Sequence, residues 1–207
     1  LETVQGEGGI YPAEEGFLKG IKEICAEKDI LLILDEIQCG MGRTGSMFAW
    51  QQYGVEPDIM TCAKALGCGV PVGAFVLGEK AAAKSLEPGD HGTTYGGNPL
   101  ACAAVSKVFD LFEKQDILAH VREITPYLEE KLDALVDKYD FLKERRGKGL
   151  MQGLEVMGRP VGEIVSRALG NGLIVISAGT NVLRFVPPLI ISRSQIDEMT
   201  EKLEKSF

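Results

Sequence analysis

Two carboxylates directly follow a continuous apolar run in the stretch LLILDEIQCGMGRTG, residues 31–45. A short apolar run of this kind is typical of a parallel strand that is buried on both faces. Asp35 and Glu36 would then lie where a buried strand ends, and a buried anion is costly unless it has a partner. That partner is either a metal ion with a nucleotide or the positive charge of a bound organic group. The ordinary alternative is a solvated carboxylate at a strand end.

The nucleotide hypothesis treats Asp35 and Glu36 as a Walker B pair, whose carboxylates bind Mg²⁺ beside the phosphates. Such a site also needs a GxxxxGK[ST] phosphate loop, and the 207 residues contain none. A nucleotide-binding module therefore stays open only as a distant alternative, with its phosphate loop upstream of this chain.

Lys64 is the only charged residue in the stretch IMTCAKAL, residues 59–66. It is either a lysine that snorkels out of a strand end or a desolvated lysine with a lowered pKa that forms a Schiff base with a carbonyl compound. Apolar runs at 30–34 and 58–63 predict a β-α-β unit with parallel strands. Ligands of open α/β sheets bind at the carboxyl ends of the strands, so we expect Asp35 and Lys64 to face the same crevice.

The other elements follow from hydrophobic periodicity and from helix-start signals. The segment 72–77 is predicted to return antiparallel to the strand before it, because its glycine-rich connector is too short for a crossover helix. Asn98 and Pro99 are a typical cap and first residue of a helix. A helix at 13–28 is expected to bury the apolar face formed by Phe17, Leu18, Ile21, Ile24 and Cys25. The remaining predictions are a short helix at 45–53, a helical region to about residue 139 with breaks near 115–116 and 125–126, strands at 141–148, 151–156, 173–177 and 182–186, and helices at 160–171 and 192–205.

The charge balance and the scarcity of ligand patterns exclude several classes of function. The chain has 22 basic and 30 acidic residues, a net charge of −8, which disfavours nucleic acid or an anionic membrane as a partner. No apolar run approaches the roughly 20 residues of a membrane span. His91 and His120 share no ligand spacing with cysteines or carboxylates, so no metal is expected. The odd number of cysteines predicts free thiols in a reducing compartment, and we expect a cytoplasmic protein. The cysteines are Cys25, Cys39, Cys62, Cys68 and Cys102.

Five stretches, in this order, resemble the class III, fold-type I, pyridoxal-phosphate-dependent aminotransferases: VQGEGGIYPA, LLILDEIQCGMGRTG, PDIMTCAKALGCGVPVGA, HGTTYGGNPLACAA and LRFVPPL. The resemblance covers the whole chain and implies the C-terminal half of such an enzyme. The chain also starts at Leu1 without a methionine or signal peptide, with an opening typical of the end of a strand. We therefore expect a piece of a longer protein.

The resemblance implies a cofactor, pyridoxal 5′-phosphate, and assigns residues to it. Asp35 matches the acid that pairs with the pyridine nitrogen, and Lys64 matches the Schiff-base lysine that also carries the proton. Ile37 matches an aliphatic residue on one face of the ring, where the family more often has valine. Gln38 matches the residue that hydrogen-bonds the ring hydroxyl. Thr94 matches a threonine that reaches the cofactor phosphate across a dimer interface.

A second group of matches concerns the substrate. Arg184 matches the arginine that binds the substrate α-carboxylate, and Glu7 matches a glutamate that masks this arginine. Thr93 matches a position near the substrate. Glu2 matches the first glutamate of the family's opening motif, and Thr3 stands where the family usually has proline.

The fold that the resemblance implies is α/β. Residues 1–112 would form the C-terminal part of the cofactor-binding large domain, a mostly parallel sheet with helices, and residues 113–207 a small α+β C-terminal domain. The implied reaction is transamination of N-acetylornithine with 2-oxoglutarate in arginine biosynthesis. The resemblance also admits succinyl-diaminopimelate, in lysine biosynthesis.

Three other implications concern substrate and assembly. Another class III ω-aminotransferase, acting on ornithine or 4-aminobutyrate, is the main alternative within the family. A homodimer with a shared active site is expected. The isolated chain is expected to be inactive, because the other half supplies further cofactor and substrate contacts; a truncated chain that only occupies a dimer partner is a third hypothesis.

Overall fold

The computed structural model describes residues 1–83 and 85–207. The helices are α1 (Glu15–Glu27), α2 (Glu79–Ala82), α3 (Pro99–Lys114), α4 (Ile117–Lys138), α5 (Val161–Gly170) and α6 (Arg193–Glu204). The strands are β1 (Val4–Gln5), β2 (Tyr11–Pro12), β3 (Ile33–Asp35), β4 (Ile59–Cys62), β5 (Ala74–Leu77), β6 (Leu142–Lys148), β7 (Met151–Val156), β8 (Ile176–Ala178) and β9 (Val182–Phe185). Two short 3-10 turns cover Ala49–Gln52 and Lys64–Leu66.

The chain divides into two compact units that each contain several segments. Unit 1 comprises Leu1–Thr3, Ala13–Gly42 and Ser46–Ile117. Unit 2 comprises Val4–Pro12, Arg43–Gly45 and Leu118–Phe207. The division into parts of a large and a small domain at residue 112 stays a prediction.

Unit 1 contains a three-stranded sheet in the order β3-β4-β5. β3 and β4 are parallel, with Asp35 opposite Thr61, and β5 returns antiparallel to β4. Both predictions about strand direction are therefore confirmed. The predicted helix between the parallel strands is reduced to the 3-10 turn Ala49–Gln52.

The apolar run before Asp35 is covered on one face only. Leu32 and Leu34 are buried against Leu18 of α1, whereas Ile33 is 45% exposed. The prediction of a strand buried on both faces is therefore wrong for this chain. The reason is the alternation of side chains along a strand: α1 covers the face of Leu32 and Leu34, and Ile33 points to the other face.

Of the two longer helices of unit 1, α1 buries only part of the apolar face that was expected, whereas α3 starts as predicted. Leu18 is fully buried in α1, but Phe17 and Ile24 are exposed. α3 begins as predicted, since the Asn98 side chain accepts a hydrogen bond from the Ala101 N–H at 3.0 Å and proline follows at the first helical position. α3 places its buried Val108 in a second cluster, together with Met41, Cys62 and Leu66.

Unit 2 contains a four-stranded antiparallel sheet in the order β6-β7-β9-β8 and a separate pair, β1-β2. The expected break near residues 115–116 is present, but α4 continues through Pro126. The expected break at Pro126 is wrong because packing outweighs the lost backbone hydrogen bond. A stripe of buried residues holds α4 on both sides of the proline: Val121, Ile124, Leu128, Leu132 and Leu135.

The chain end is a well-capped helix, as the serine start predicts. Ser192 Oγ accepts from the Gln195 N–H at 3.3 Å, and Gln195 Oε1 accepts from the Ser192 N–H at 2.9 Å, a reciprocal capping box. α6 then buries Ile196, Met199 and Leu203. None of the described helices combines the length and the apolar character that crossing a bilayer requires.

Candidate active site

Asp35 and Lys64 lie at the same edge of the unit 1 sheet. Asp35 is the last residue of β3, and its register partner Thr61 lies three residues before Lys64, which opens the 3-10 turn after β4. Because β3 and β4 are parallel, their carboxyl ends meet at one edge. The expected placement of Asp35 and Lys64 is confirmed at the level of the sheet. Lys64 is exposed, so the expectation of a desolvated lysine is not met in this chain.

The backbone at Lys64 is unusual. Its φ of +48° lies in the left-handed region, which is uncommon outside glycine and costs on the order of 1–3 kcal/mol. The turn that holds this conformation is closed by hydrogen bonds from the Leu66 N–H to the Ala63 carbonyl at 2.9 Å and from the Gly67 N–H to the Lys64 carbonyl at 3.2 Å. Strain of this kind concentrates at functional positions.

The Asp35 carboxylate is oriented by the turn that follows it. Asp35 Oδ1 accepts a hydrogen bond from the Ile37 N–H at 2.8 Å. The Asp35 N–H donates to the Leu1 carbonyl at 2.9 Å, and Glu2 forms a parallel bridge with Asp35. Asp35 is half-buried, so its carboxylate is held in place and still reachable by a ligand. Ile37 and Gln38 occupy the same turn and are also half-buried.

Glu36 is 1% exposed, and its carboxylate accepts four hydrogen bonds. Oε2 accepts from the Ala49 N–H at 2.8 Å and from Cys39 Sγ at 3.4 Å. Oε1 accepts from the Trp50 N–H at 2.9 Å and from Thr3 Oγ1 at 3.5 Å. Burial raises the pKa of the Glu36 carboxyl, and the four donors offset only part of that effect.

Sequence reasoning did not identify Thr3 and Cys39 as parts of this network. Thr3 is fully buried, and its Oγ1 also lies 3.1 Å from Cys39 Sγ. The available signal was the threonine in a position where proline is usual, since proline has no hydroxyl to offer. Cys39 gave no signal, because a cysteine among small residues is equally typical of a core.

The loop that contains the two candidate threonines is exposed in this chain. Thr93 Oγ1 accepts a hydrogen bond from the Gly96 N–H at 3.1 Å, and Thr94 is exposed beside it. Their expected contacts with substrate and with the cofactor phosphate stay predictions.

Arg184 and Glu7 form an ion pair in unit 2. Arg184 lies on β9, opposite Gly153 of β7 and Ile176 of β8, and is 8% exposed. Its Nη1 donates to Glu7 Oε1 at 2.7 Å, and the Glu7 side chain is 72% exposed. The structure thus brings together the two residues that the sequence assigned to carboxylate binding and to its masking.

A second arginine supports the region around Arg184. Arg43 is half-buried, and its guanidinium donates to the Leu150 carbonyl at 3.2 Å and to the Pro187 carbonyl, three residues after Arg184. Burial lowers the pKa of Arg43 to about 10, so it stays charged at neutral pH. Gly149 allows the close approach, because a Cβ there would lie 2.5 Å from Thr44 Cα at a φ of +60°. Sequence reasoning had not singled out Arg43.

A cavity of about 420 Å³ lies beside Arg184 in unit 2. Its lining is largely apolar and includes Ile174, Ile176, Val186 and Met199. Gln195, Glu198 and Lys202 add polar groups to this lining.

Comparison with known proteins defines the family. The whole chain, residues 1–207, matches the model for aminotransferase class III. The chain belongs to this family, whose members depend on pyridoxal phosphate.

Relatives within the family share a name. The acetylornithine aminotransferase of Methanocaldococcus jannaschii is 49% identical over 207 residues, which are 100% of this chain and 52% of that protein. That of Bacillus subtilis is 47% identical over 207 residues, 100% of this chain and 53% of the relative. The chain thus spans about half the length of the curated relatives it matches.

Solved structures show the same fold. N-acetylornithine aminotransferase from Stenotrophomonas maltophilia K279a has a TM-score of 0.88 and 40% identity, and the match covers 100% of this chain and 54% of that one. Ornithine aminotransferase from Plasmodium yoelii has a TM-score of 0.92 and 31% identity, covering 100% and 55%. The backbone match is close for both, so backbone similarity alone does not separate the two substrate classes.

The residues present fit pyridoxal phosphate. The cofactor needs an anion for its protonated ring nitrogen and an amine for its aldehyde. Asp35 offers a carboxylate held by the Ile37 N–H, and Lys64 offers an exposed amine at the same sheet edge. No cluster of metal ligands occurs among the described residues, and the Walker B hypothesis gains no support from the comparisons.

Proposed function

We propose that the protein to which this chain belongs is a pyridoxal-phosphate-dependent aminotransferase that transfers the amino group of N-acetylornithine to 2-oxoglutarate, in arginine biosynthesis. The observation that carries the proposal is the placement of Asp35 and Lys64 at the ends of adjacent parallel strands. The substrate follows from relatives named acetylornithine aminotransferase at 47–50% identity. Succinyl-diaminopimelate is a further candidate substrate.

Asp35, Ile37 and Gln38 would bind and orient the ring of the cofactor. Pyridoxal phosphate supplies an electron sink for the substrate carbon that loses its proton. The Asp35 carboxylate would keep the ring nitrogen protonated; an anion about 4 Å from a cation is worth about 4 kcal/mol at a surface-like dielectric constant. Ile37 would pack on one ring face, and Gln38 would hydrogen-bond the ring hydroxyl.

Lys64 would bind the cofactor covalently and act as the proton carrier. Its Nζ would take the proton from the substrate carbon that bears the amino group and pass it to C4′ of the cofactor. This role needs a lysine that reaches the cofactor from the strand edge, and the left-handed backbone at Lys64 supports such a special orientation.

Arg184 would bind the substrate α-carboxylate through a bidentate contact. Glu7 occupies this guanidinium in the present structure, so it would have to release Arg184 when the carboxylate arrives. With Arg184 released, the pocket would accept a dicarboxylate in one half-reaction. With Arg184 paired to Glu7, it would accept a different amine in the other half-reaction. Thr93 and Glu2 would lie near the substrate.

The assembly we propose is a cytoplasmic homodimer with shared active sites. Thr94, in its exposed loop, would reach the cofactor phosphate of the partner subunit. Residues 1–112 would belong to the large domain and residues 113–207 to the small one. The isolated 207-residue chain would show little turnover, because it spans about half the length of its relatives.

The test is borohydride reduction of the protein with pyridoxal phosphate, followed by peptide mass mapping. It should be run on the complete gene product and on the isolated chain. A pyridoxyl adduct on Lys64 in the complete protein is expected, and its absence there would overturn the proposal. Turnover of N-acetylornithine, ornithine and 4-aminobutyrate is then compared; faster turnover of either of the latter two would favour another ω-aminotransferase.

A further inference from the structure

The cradle around Glu36 joins three separate parts of unit 1. Its donors come from Thr3, from Cys39 in the turn after β3, and from Ala49 and Trp50 at the start of a 3-10 turn. All four donors are neutral. A side chain that is 1% exposed and gathers donors from such distant positions fixes the segments relative to one another.

Both carboxyl oxygens are needed as acceptors. The Ala49 N–H donates to Oε2 and the Trp50 N–H donates to Oε1. A glutamine would turn one of these oxygens into an NH₂ group, which would face a backbone N–H with no lone pair to offer. A buried N–H left without an acceptor costs about 1–3 kcal/mol. The position therefore requires a carboxyl group and not merely a polar side chain.

The cradle is directly connected to Asp35. Glu36 directly follows Asp35 in sequence and is buried, whereas Asp35 is half-buried. The Glu36 N–H donates to the Thr61 carbonyl at 2.9 Å, in the strand that leads to Lys64. The single S–H of Cys39 lies within hydrogen-bond distance of both the Asp35 carbonyl, at 3.5 Å, and Glu36 Oε2. These contacts fix the backbone of Asp35 and Glu36 and therefore limit the positions that the Asp35 carboxylate can take.

Thr3 ties the cradle to the start of the chain. Besides the Oγ1 contacts with Glu36 and Cys39, its carbonyl accepts from the Ala13 N–H at 2.8 Å and from the Tyr53 hydroxyl at 3.4 Å. A proline in this position would keep the carbonyl contacts and lose the hydroxyl. The threonine therefore adds a donor to Glu36 that a proline would lack.

We propose that Glu36, oriented by Thr3 and Cys39, is a positioning residue that holds the Asp35 carboxylate in the orientation in which it pairs with the ring nitrogen of pyridoxal phosphate. The inference rests on the proposed function. Glu36 itself does not touch the cofactor; it acts through the backbone of Asp35 and through the turn that contains Ile37.

The test compares Glu36→Gln and Thr3→Val with wild type in the complete gene product. Glu23→Gln is the matched control, because Glu23 is exposed on α1. The readouts are the Kd for pyridoxal phosphate, the pH dependence of the visible absorbance of the bound cofactor, and the circular dichroism spectrum of the cofactor-free protein. We expect Glu36→Gln to weaken cofactor binding by about tenfold, the effect of losing one charge-assisted hydrogen bond. The pH midpoint of the absorbance should also shift. Thr3→Val should shift both in the same direction by a smaller factor.

Two outcomes would overturn the inference. The first is a folded Glu36→Gln protein with the Kd and absorbance profile of wild type. The second, which decides the matter if Glu36→Gln does not fold, is a Thr3→Val protein with unchanged Kd and profile. Failure of the wild type itself to bind pyridoxal phosphate would instead overturn the proposed function, and this inference with it.

Discussion

Glu36 in unit 1 and Glu7 in unit 2 are both carboxylates beside a candidate site residue, but their surroundings differ. Glu36 is 1% exposed and accepts hydrogen bonds from four neutral donors. The Glu7 side chain is 72% exposed and forms an ion pair with the Arg184 guanidinium. Withdrawing Glu36 would leave two buried N–H groups without acceptors. The exposed Glu7 carboxylate is instead hydrated when it leaves Arg184, and the incoming substrate carboxylate takes its place on the guanidinium. The first carboxylate is suited to fixing a geometry, and the second to switching one.

The largest effect is expected from Lys64→Ala, at the sheet edge of unit 1 that Glu36 helps to fix. Loss of the proton carrier should lower kcat of the complete protein by on the order of 10²–10⁴-fold. Steady-state kinetics and borohydride mapping measure the effect, and Lys28→Ala, an exposed lysine near the end of α1, is the control. Retention of a pyridoxyl adduct on another lysine with normal turnover would contradict the assignment.

Arg184→Lys tests the partner of the switching carboxylate. A lysine keeps the charge but loses the bidentate fork, so kcat/KM should fall by about tenfold to a hundredfold, mainly through KM. The effect should be larger for 2-oxoglutarate than for N-acetylornithine, because Glu7 would occupy Arg184 when the amine donor binds. An effect on kcat alone would show that Arg184 acts elsewhere.

The pH dependence of stability sharpens the contrast for Glu36. Its pKa is raised above 4.5 by burial, so its contribution to stability is fully present below pH 4.5 and is lost as the pH rises through the folded-state pKa. Glu36→Gln lacks this titration. The stability advantage of wild type over the variant should therefore narrow from pH 4.5 towards neutrality.

Thermal unfolding at a series of pH values measures that difference, with Glu23→Gln as the control. If the stability difference between wild type and Glu36→Gln instead grows with pH, the four donors outweigh burial and the pKa of Glu36 is lowered, not raised.

The smallest effect is expected from Glu7→Gln. Arg184 is 8% exposed, but a glutamine keeps an oxygen that accepts from its guanidinium, so overall stability should fall by only about 1 kcal/mol. The ratio of kcat/KM between glutamate and N-acetylornithine should shift towards glutamate by up to about fivefold, because Arg184 loses its competing anion. An unchanged ratio would show that Glu7 does not switch Arg184. Glu7 and Glu36 would then differ only in how deeply they are buried.

Much of the local structure could be predicted because its causes are local. The cap at Asn98, the capping box at Ser192 and the antiparallel return of β5 depend on residues within a few positions of each other. A local rule that failed was the break at Pro126, where the buried stripe of α4 outweighs the missing N–H.

The sequence by itself determined that Asp35 and Lys64 lie at one sheet edge, because parallel strands align their carboxyl ends whatever surrounds them. Only the tertiary structure decided what holds Glu36, because its donors stand 33 positions before it and up to 14 after it. The same is true of Ile33, whose exposure depends on which elements cover each face of the sheet. Periodicity records the side to which a residue points, but not what lies on that side.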